Sequence, residues 1–499
     1  MNKTSEAVLS LILVAGALAP ALTSQNTNAR STQGSSALAP RVAITEHVVH
    51  VNGQTIDYTA TVADSIIKDD KGQPGAMVIT IAYTRDGVND LARRPVMFVF
   101  NGGPGASSSP LHMSGLGPVL RVNPKDRTSM QFGENSTTPL DVTDLVFIDP
   151  VSTGFSRALP GVDPKQWYNG KSDALEVASI IKDWLKLHHR EGSPLFLCGE
   201  SYGTTRAGLI VKYAPELKFN GVLLVSGGSG SLGPNARDID SVGAMAAGAW
   251  YHERVDRRGL TVQQYYAEAM KFARGEYADA LVQGAKLPVT ERHRVSGKLS
   301  AYIGLPVDLI ESKDLKIDEN TYMFNLLKDK GLRTGRLDTR VTSELTPNAS
   351  GGIDDPSLGV ATSTKGGPAP TPASIGPVVS PAVGRYVSEQ LKFPSTDPYY
   401  GVNFTANSQW VFSTPDSDEK ESTAAIMALA MKSDARLNLF AVSGIYDLGS
   451  SDGSGFSANG VPADRLTVDL FPGPHEVYDG DDNRAQFDND VRNFVQSAK

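Results

Sequence analysis

Two kinds of periodicity divide the chain. Near the N-terminus apolar and polar residues alternate: Glu46-His47-Val48-Val49-His50-Val51, then Thr55 to Ala63 beyond Asn52-Gly53, then Ala76 to Tyr83 beyond Lys71-Gly72. Alternation bounded by turn residues predicts antiparallel strands. From Arg94 onward the alternation gives way to continuous apolar runs. Pro95 to Phe100, Asp144 to Ile148, Leu195 to Cys198 and Gly221 to Ser226 predict strands covered on both faces, as in a parallel sheet. Between the second and third, Ala174, Val177, Ile180, Ile181, Trp184 and Leu185 fall on one face of a predicted helix. Another helix is predicted from Thr204 to Ala214. Strands alternating with helices predict an α/β class, with a mostly parallel central sheet preceded by antiparallel strands.

The alternation stops near Gly227. Asp238 to about Leu332 reads as mostly helical, with Trp250, Tyr265, Tyr266, Phe272 and Tyr277 supplying bulk. Asn348 to Pro377 is dense in Gly, Pro, Ser and Thr and predicts a long loop, and a loop that long is usually functional or disordered. Helical patterns return at Tyr386 to Leu391 and Ser422 to Met431. The sheet resumes with Leu437 to Ser443 and Arg465 to Phe471. A last helix, Arg484 to Gln496, turns Phe487, Val491, Phe494 and Val495 inward. We therefore divide the chain into a core in two parts, 41–229 and 426–499, with a cap insertion over 230–425.

The first residues have a different pattern. Met1-Asn2-Lys3 precedes an apolar stretch from Ala7 to Leu22, with small residues after it. This predicts a signal peptide within residues 1–29, cut after Ala19, Ala21 or Ala29, and a disordered lead-in over 30–40. No other segment is long and apolar enough to cross a membrane. Cys198 is the one cysteine, so no intramolecular disulfide can form; an exported chain of this kind fits bacterial-type release to the periplasm or medium. The 499 residues carry a formal charge of −8 and lack a basic run, which argues against nucleic acid and against a stable membrane partner.

Chemistry concentrates at Gly199-Glu200-Ser201-Tyr202-Gly203. A G-x-S-x-G between a buried strand and a helix is the context of a nucleophile elbow, which lifts the serine hydroxyl above the sheet. Gly449-Ser450-Ser451-Asp452-Gly453 also fits the pattern, but it lies in a polar loop with no helix predicted after it and reads as a turn. Serine is a poor nucleophile at neutral pH and needs an imidazole base, itself oriented by a carboxylate. Asp447 and His475 each follow a later predicted strand, and catalysts in open α/β sheets sit at the carboxyl ends of strands. The order Ser201, Asp447, His475 is that of the α/β-hydrolase fold.

The rival bases His112, His188, His189, His252 and His293 read as surface or packing residues. Asp149 precedes the elbow, which breaks the order, and Asp479, Asp481 and Asp482 read as a solvated loop. His47 and His50 have strand-face spacing with nothing to complete a metal site. No metal or cofactor is implied. The loop Asn101-Gly102-Gly103 after the first buried strand supplies a fourth part: the amides of Gly103 and Tyr202 are the candidate oxyanion donors.

These residues resemble the serine carboxypeptidase family. Asn101-Gly102-Gly103-Pro104-Gly105-Ala106-Ser107-Ser108 is similar to its N-G-G-P-G-x-S-S signature, and Gly199-Glu200-Ser201-Tyr202-Gly203 to its G-E-S-Y-[AG] elbow. Asp149-Pro150-Val151-Ser152-Thr153-Gly154-Phe155-Ser156 is similar to its D-x-P-x-G-x-G-[FY]-S segment. The resemblance runs from about Arg94 to Phe494. It implies an α/β-hydrolase fold with a helical cap, and an enzyme that removes C-terminal amino acids from peptides having a free C-terminus. It implies Ser201 as nucleophile, Asp447 as orienter and His475 as base, with Asn101, Gly102 and Glu200 holding the substrate's terminal carboxylate. A carboxyl group can do so only when protonated, which favours acidic pH.

The chain departs from the family at three places. Gly115 stands before Leu116-Gly117-Pro118 where the family has a second glutamate. Pro474-His475-Glu476 replaces G-H-M, and Ser443-Gly444-Ile445-Tyr446-Asp447 keeps only the last acid of S-G-D-x-D. The altered carboxylate site leaves an esterase or acyltransferase on the same machinery as an alternative, and a noncatalytic binding protein on a hydrolase scaffold as a third.

Overall fold

The computed structural model describes residues 40–122, 131–228, 233, 235–359, 370–412 and 421–498. The expected signal peptide, nearly all of the lead-in and part of the Gly/Pro-rich loop lie outside these residues.

Nine strands run through a ten-stranded sheet: β1 (Val42–Val51), β2 (Gln54–Lys68), β3 (Pro74–Arg85), β4 (Val96–Phe100), β5 (Asp144–Asp149), β6 (Leu195–Glu200), β7 (Phe219–Val225), β8 (Asn438–Gly444) and β9 (Leu466–Phe471). Their order is β1-β2-β3-β5-β4-β6-β7-β8-β9, and a two-residue strand, Arg157–Ala158, pairs beside β3. The first three pair antiparallel, as the alternation predicts, and β3 pairs antiparallel with β5. From β5 to β9 every pairing is parallel. This is the α/β-hydrolase fold.

The apolar runs are continuous because both faces are buried. Along β4, Met97 and Val99 enter one hydrophobic cluster while Val96, Phe98 and Phe100 enter the other. Helix α1 (Gly170–Leu187) begins at Asn169, whose side chain accepts from the Ser172 amide, and it buries the face predicted for it. Its Trp184 meets Phe98 edge-on at 5.5 Å. Helices α1, α2 (Tyr202–Tyr213) and α6 (Thr423–Ser433) cover one face. The last helix, α7 (Asp481–Ser497), covers the other with Phe487, Val491, Phe494 and Val495.

Between β7 and β8 lie α3 (Ala236–Tyr251), α4 (Val262–Phe272) and α5 (Val289–Ile303), with a capping box between Thr261 and Gln264 at the start of α4. Their cluster takes in Ile445, Tyr446 and Leu448, which follow β8. Residues further along pack against the sheet: Val383, Tyr386, Val387, Leu391, Phe393 and Tyr399 enter the cluster beneath β1 to β3.

The register sets the site. Phe100 lies opposite Gly199, Glu200 opposite Val225, Val225 opposite Val442, and Gly444 opposite Phe471. The carboxyl ends of five parallel strands therefore share one edge. At that edge an added Cβ on Gly444 would lie 1.9 Å from the carbonyl oxygen of Pro474, so β8 and the loop carrying His475 meet backbone to backbone. Gly444→Ala must push this loop away. A loss of about 1–3 kcal/mol is expected, with a lower melting temperature; an unchanged melting temperature would show that the contact is not tight.

Candidate active site

The chain turns sharply at Ser201, whose φ of 61° and ψ of −128° lie outside the regions an L-residue ordinarily occupies. The Ser201 amide donates to the Val225 carbonyl at 2.9 Å, and the Ser201 carbonyl accepts from the Thr204 amide at 2.9 Å and its hydroxyl at 2.7 Å. These bonds pin the turn to the neighbouring strand and to the first turn of α2. The side chain is half-buried at the tip.

The glycine loop after β4 packs directly on this turn. An added Cβ on Gly102 would sit 2.3 Å from the Tyr202 nitrogen and 2.5 Å from that of Gly203, so only glycine allows the approach. Gly103 has φ 98°, and the Ala106 amide closes the loop on the Gly102 carbonyl at 3.1 Å. Gly102 is thereby set against the Tyr202 nitrogen, and Gly103, the other candidate oxyanion residue, is the next residue of the loop.

Asp447 and His475 are also brought together. His475 Nδ1 lies 2.5 Å from Asp447 Oδ2, with the carboxylate fully buried and the imidazole 13% exposed. Asp447 also accepts from the Gly449 amide at 2.8 Å and from the Ser450 hydroxyl. Burial pushes the Asp447 carboxyl up, but His475, Ser450 and nearby Arg336 outweigh it and hold the group below its ordinary value. Burial likewise lowers His475, and the Asp447 carboxylate more than offsets it, so the imidazole holds its proton more tightly than usual. The Ser226 hydroxyl donates to the His475 carbonyl at 2.5 Å. Since Ser226 follows Val225, the acceptor of the Ser201 amide, the His475 loop and the elbow rest on the same strand end.

Glu200 is 3% exposed beneath the elbow. Asn101 Nδ2 donates to its Oε1 at 2.7 Å and the Tyr478 hydroxyl to its Oε2 at 2.6 Å. Burial and the neighbouring Glu476 raise the carboxyl to about 8, against the opposing pull of His475, Tyr478 and Asn101. Asn101 is itself held: its side-chain oxygen accepts from the Leu111 amide at 3.2 Å and its carbonyl from Arg206. Arg206 is buried and paired with Asp173 at 2.7 and 3.0 Å.

The remaining acids and histidines lie elsewhere. Asp149 accepts from the Ser108 amide and hydroxyl at 2.8 Å, His112 is buried between Tyr83 and Phe147, and His252 bonds the Thr339 carbonyl at 2.7 Å. Among the described residues, no cluster of His, Cys, Asp or Glu could hold a metal ion. The second G-x-S-x-G is followed by a short helix, Ser454–Ala458, which was not expected. Ser451 follows no strand, however, and the useful group there is Ser450, the partner of Asp447.

Four supporting residues escaped the sequence reading. Tyr478 and Arg206 carry no motif, and Ser450 lies in the second G-x-S-x-G, which reads as a turn. Leu337, in the insertion, accepts the His475 amide at 2.8 Å, while Arg336 accepts the Leu448 amide at 2.9 Å and Tyr446 accepts the Thr339 amide at 3.0 Å.

Arg206→Met leaves Asp173 buried without its cation and Asn101 without its brace. A loss of about 3–5 kcal/mol in urea unfolding is expected; a change under about 1 kcal/mol would show that the pair is dispensable.

Residues 83–217 match the model of the serine carboxypeptidase family. No curated protein sequence matches the chain. Among solved structures, the chain is similar to Kex1(delta)p, a prohormone-processing carboxypeptidase from Saccharomyces cerevisiae. The two share 14% identity over 88% of this chain and 92% of that one, with a TM-score of 0.53. It also aligns with a proline iminopeptidase from Mycobacterium smegmatis at 11% identity over 87% and 98% of the two chains, with a TM-score of 0.37. The family match over the glycine loop and elbow, on an α/β-hydrolase fold, supports a hydrolase of the serine carboxypeptidase type.

Proposed function

We propose that this protein is an exported serine carboxypeptidase working through Ser201, His475 and Asp447. What supports the reading is that the strained Ser201 turn and the loop carrying the 2.5 Å His475–Asp447 pair are both bonded to the strand end at Val225 and Ser226. Ser201 Oγ attacks the carbonyl of the last peptide bond while His475 Nε2 takes its proton. Nδ1–H donates to Asp447, which fixes the tautomer and stabilises the imidazolium. The Gly103 and Tyr202 amides receive the oxyanion. Collapse breaks the C–N bond, His475 returns the proton to the leaving amine, and a free amino acid departs. Water deprotonated by His475 then attacks the acyl-enzyme and frees the shortened peptide and Ser201. Glu200, as a neutral acid, donates to the terminal carboxylate beside Asn101. Export rests on the pattern of residues 1–29. Among the described residues no helix is long and apolar enough to cross a membrane.

The missing acid at Gly115 favours a second reading, an esterase or acyltransferase. A matched set of substrates separates the two: an N-blocked dipeptide, its C-terminal amide, and an N-blocked amino acid ester. A carboxypeptidase hydrolyses the free acid far faster than the amide, and Ser201→Ala abolishes the activity. Equal turnover of acid and amide would sink the exopeptidase reading while sparing the triad.

The pH profile has two expected limbs. His475 must be neutral to act as base, so kcat/KM rises with pH for all three substrates, with a midpoint above that of an ordinary histidine. Glu200 is neutral below about 8 and ionised above it, where it repels the substrate's carboxylate. The free acid alone therefore loses activity as pH passes about 8; an alkaline fall shared by the amide would mean that Glu200 does not read the carboxylate. Asp447→Asn should lower kcat by about 10⁴, measured on the ester. A loss below about tenfold would remove Asp447 from the triad.

A further inference from the structure

We propose that Tyr478 is the positioning residue of the terminal-carboxylate site, standing where the second glutamate is missing. The inference rests on the carboxypeptidase reading. Its basis is a steric exchange. An added Cβ on Gly115 would lie 3.3, 3.4 and 3.5 Å from Cδ1, Cγ and Cε1 of Tyr478, so the ring already covers the ground that a side chain at 115 would cross. The hydroxyl of the same ring reaches Glu200 Oε2 at 2.6 Å. The empty position and the new partner of Glu200 are thus one arrangement.

Tyr478 is well placed to hold a fixed geometry. It is 1% exposed, and its ring packs against Phe487 of α7 at 5.6 Å between centroids. It also lies three residues after His475, so the base and the Glu200 partner ride on one loop.

The hydrogen bonds locate the acid proton. Asn101 Nδ2 can only donate, so Glu200 Oε1 must accept. A proton on Glu200 therefore resides on Oε2, the oxygen that Tyr478 touches. Tyr478 can donate to a lone pair of Oε2 while the Oε2 proton turns to the incoming carboxylate. A glutamate pair holds a shared proton only while one member stays un-ionised. A tyrosine hydroxyl stays protonated throughout the working range, and burial pushes Tyr478 up further. One proton, on Glu200, is then sufficient.

The other groups facing Glu200 are Cys198 on its own strand and His475 and Glu476 on the last loop. Arg121, after the glycine loop, pairs with Glu476 at 3.6 Å. None of these donates a hydrogen bond to Oε2.

Tyr478→Phe keeps the ring over Gly115 and removes the O–H. The preference for the N-blocked dipeptide over its C-terminal amide, as a ratio of kcat/KM values, should fall roughly tenfold, mainly through KM for the free acid. The alkaline limb of the free-acid profile should move to higher pH, because a donor that favours ionised Glu200 is gone. The double variant Gly115→Glu with Tyr478→Gly exchanges tyrosine for acid and should restore preference, with its alkaline limb at higher pH than in the parent, because a second carboxylate beside Glu200 makes the shared proton harder to remove. If the parent shows no preference for the free acid, the carboxypeptidase reading falls and takes this assignment with it. If the parent prefers the free acid and Tyr478→Phe keeps both the ratio and the limb, the tyrosine assignment alone is overturned. Equal losses on acid and amide in Tyr478→Phe would likewise overturn it, as a merely structural role.

Discussion

The site depends on one close approach: the glycine loop lies on the elbow with no side chain between them. Gly102 is in contact with the Tyr202 and Gly203 nitrogens because β4 and β6 are paired with Phe100 opposite Gly199. That pairing aligns the two strand ends, and everything beyond it follows from where the chain must turn. Asn101 falls beside Glu200, and Arg206, one turn into α2, reaches back to hold Asn101. A shift of one residue in the β4–β6 register would turn every side chain of a strand to the other face and separate these partners.

What could be read from the sequence is what short-range patterns encode. The strands showed because alternation and unbroken apolar runs report whether one face or both are covered. The elbow showed because its strand, turn and helix are contiguous in the chain. Asp447 and His475 were found only by their places at strand ends. Ser450 was hidden inside a motif that pointed elsewhere, and Tyr478 belongs to no motif. Both matter through contacts with partners fixed by the tertiary fold, and no periodicity records such contacts. The same holds for Tyr386 to Leu391, whose pattern indicated a helix but not that it would pack beneath β1 to β3.

Charge at the site is arranged by burial and then corrected by partners. Asp447 is fully buried yet kept ionised, because an imidazole, a hydroxyl and an amide converge on it. Glu200 is almost as buried and meets only neutral donors at its oxygens, so burial prevails and the group keeps its proton. Two acids on the same sheet edge thus have opposite protonation at neutral pH, and the difference lies in what touches them.

The bonds from Leu337 to His475, from Arg336 to Leu448 and from Thr339 to Tyr446 join segments more than a hundred residues apart. Long loops must close before such bonds can form, and late closure makes them slow to appear during folding. During synthesis Ser201 and the glycine loop emerge first, while residues 336–339 and the His475 loop that they hold come more than a hundred residues later. On the proposed mechanism, a chain not yet made as far as His475 carries Ser201 without its base, and so without the activity proposed for it.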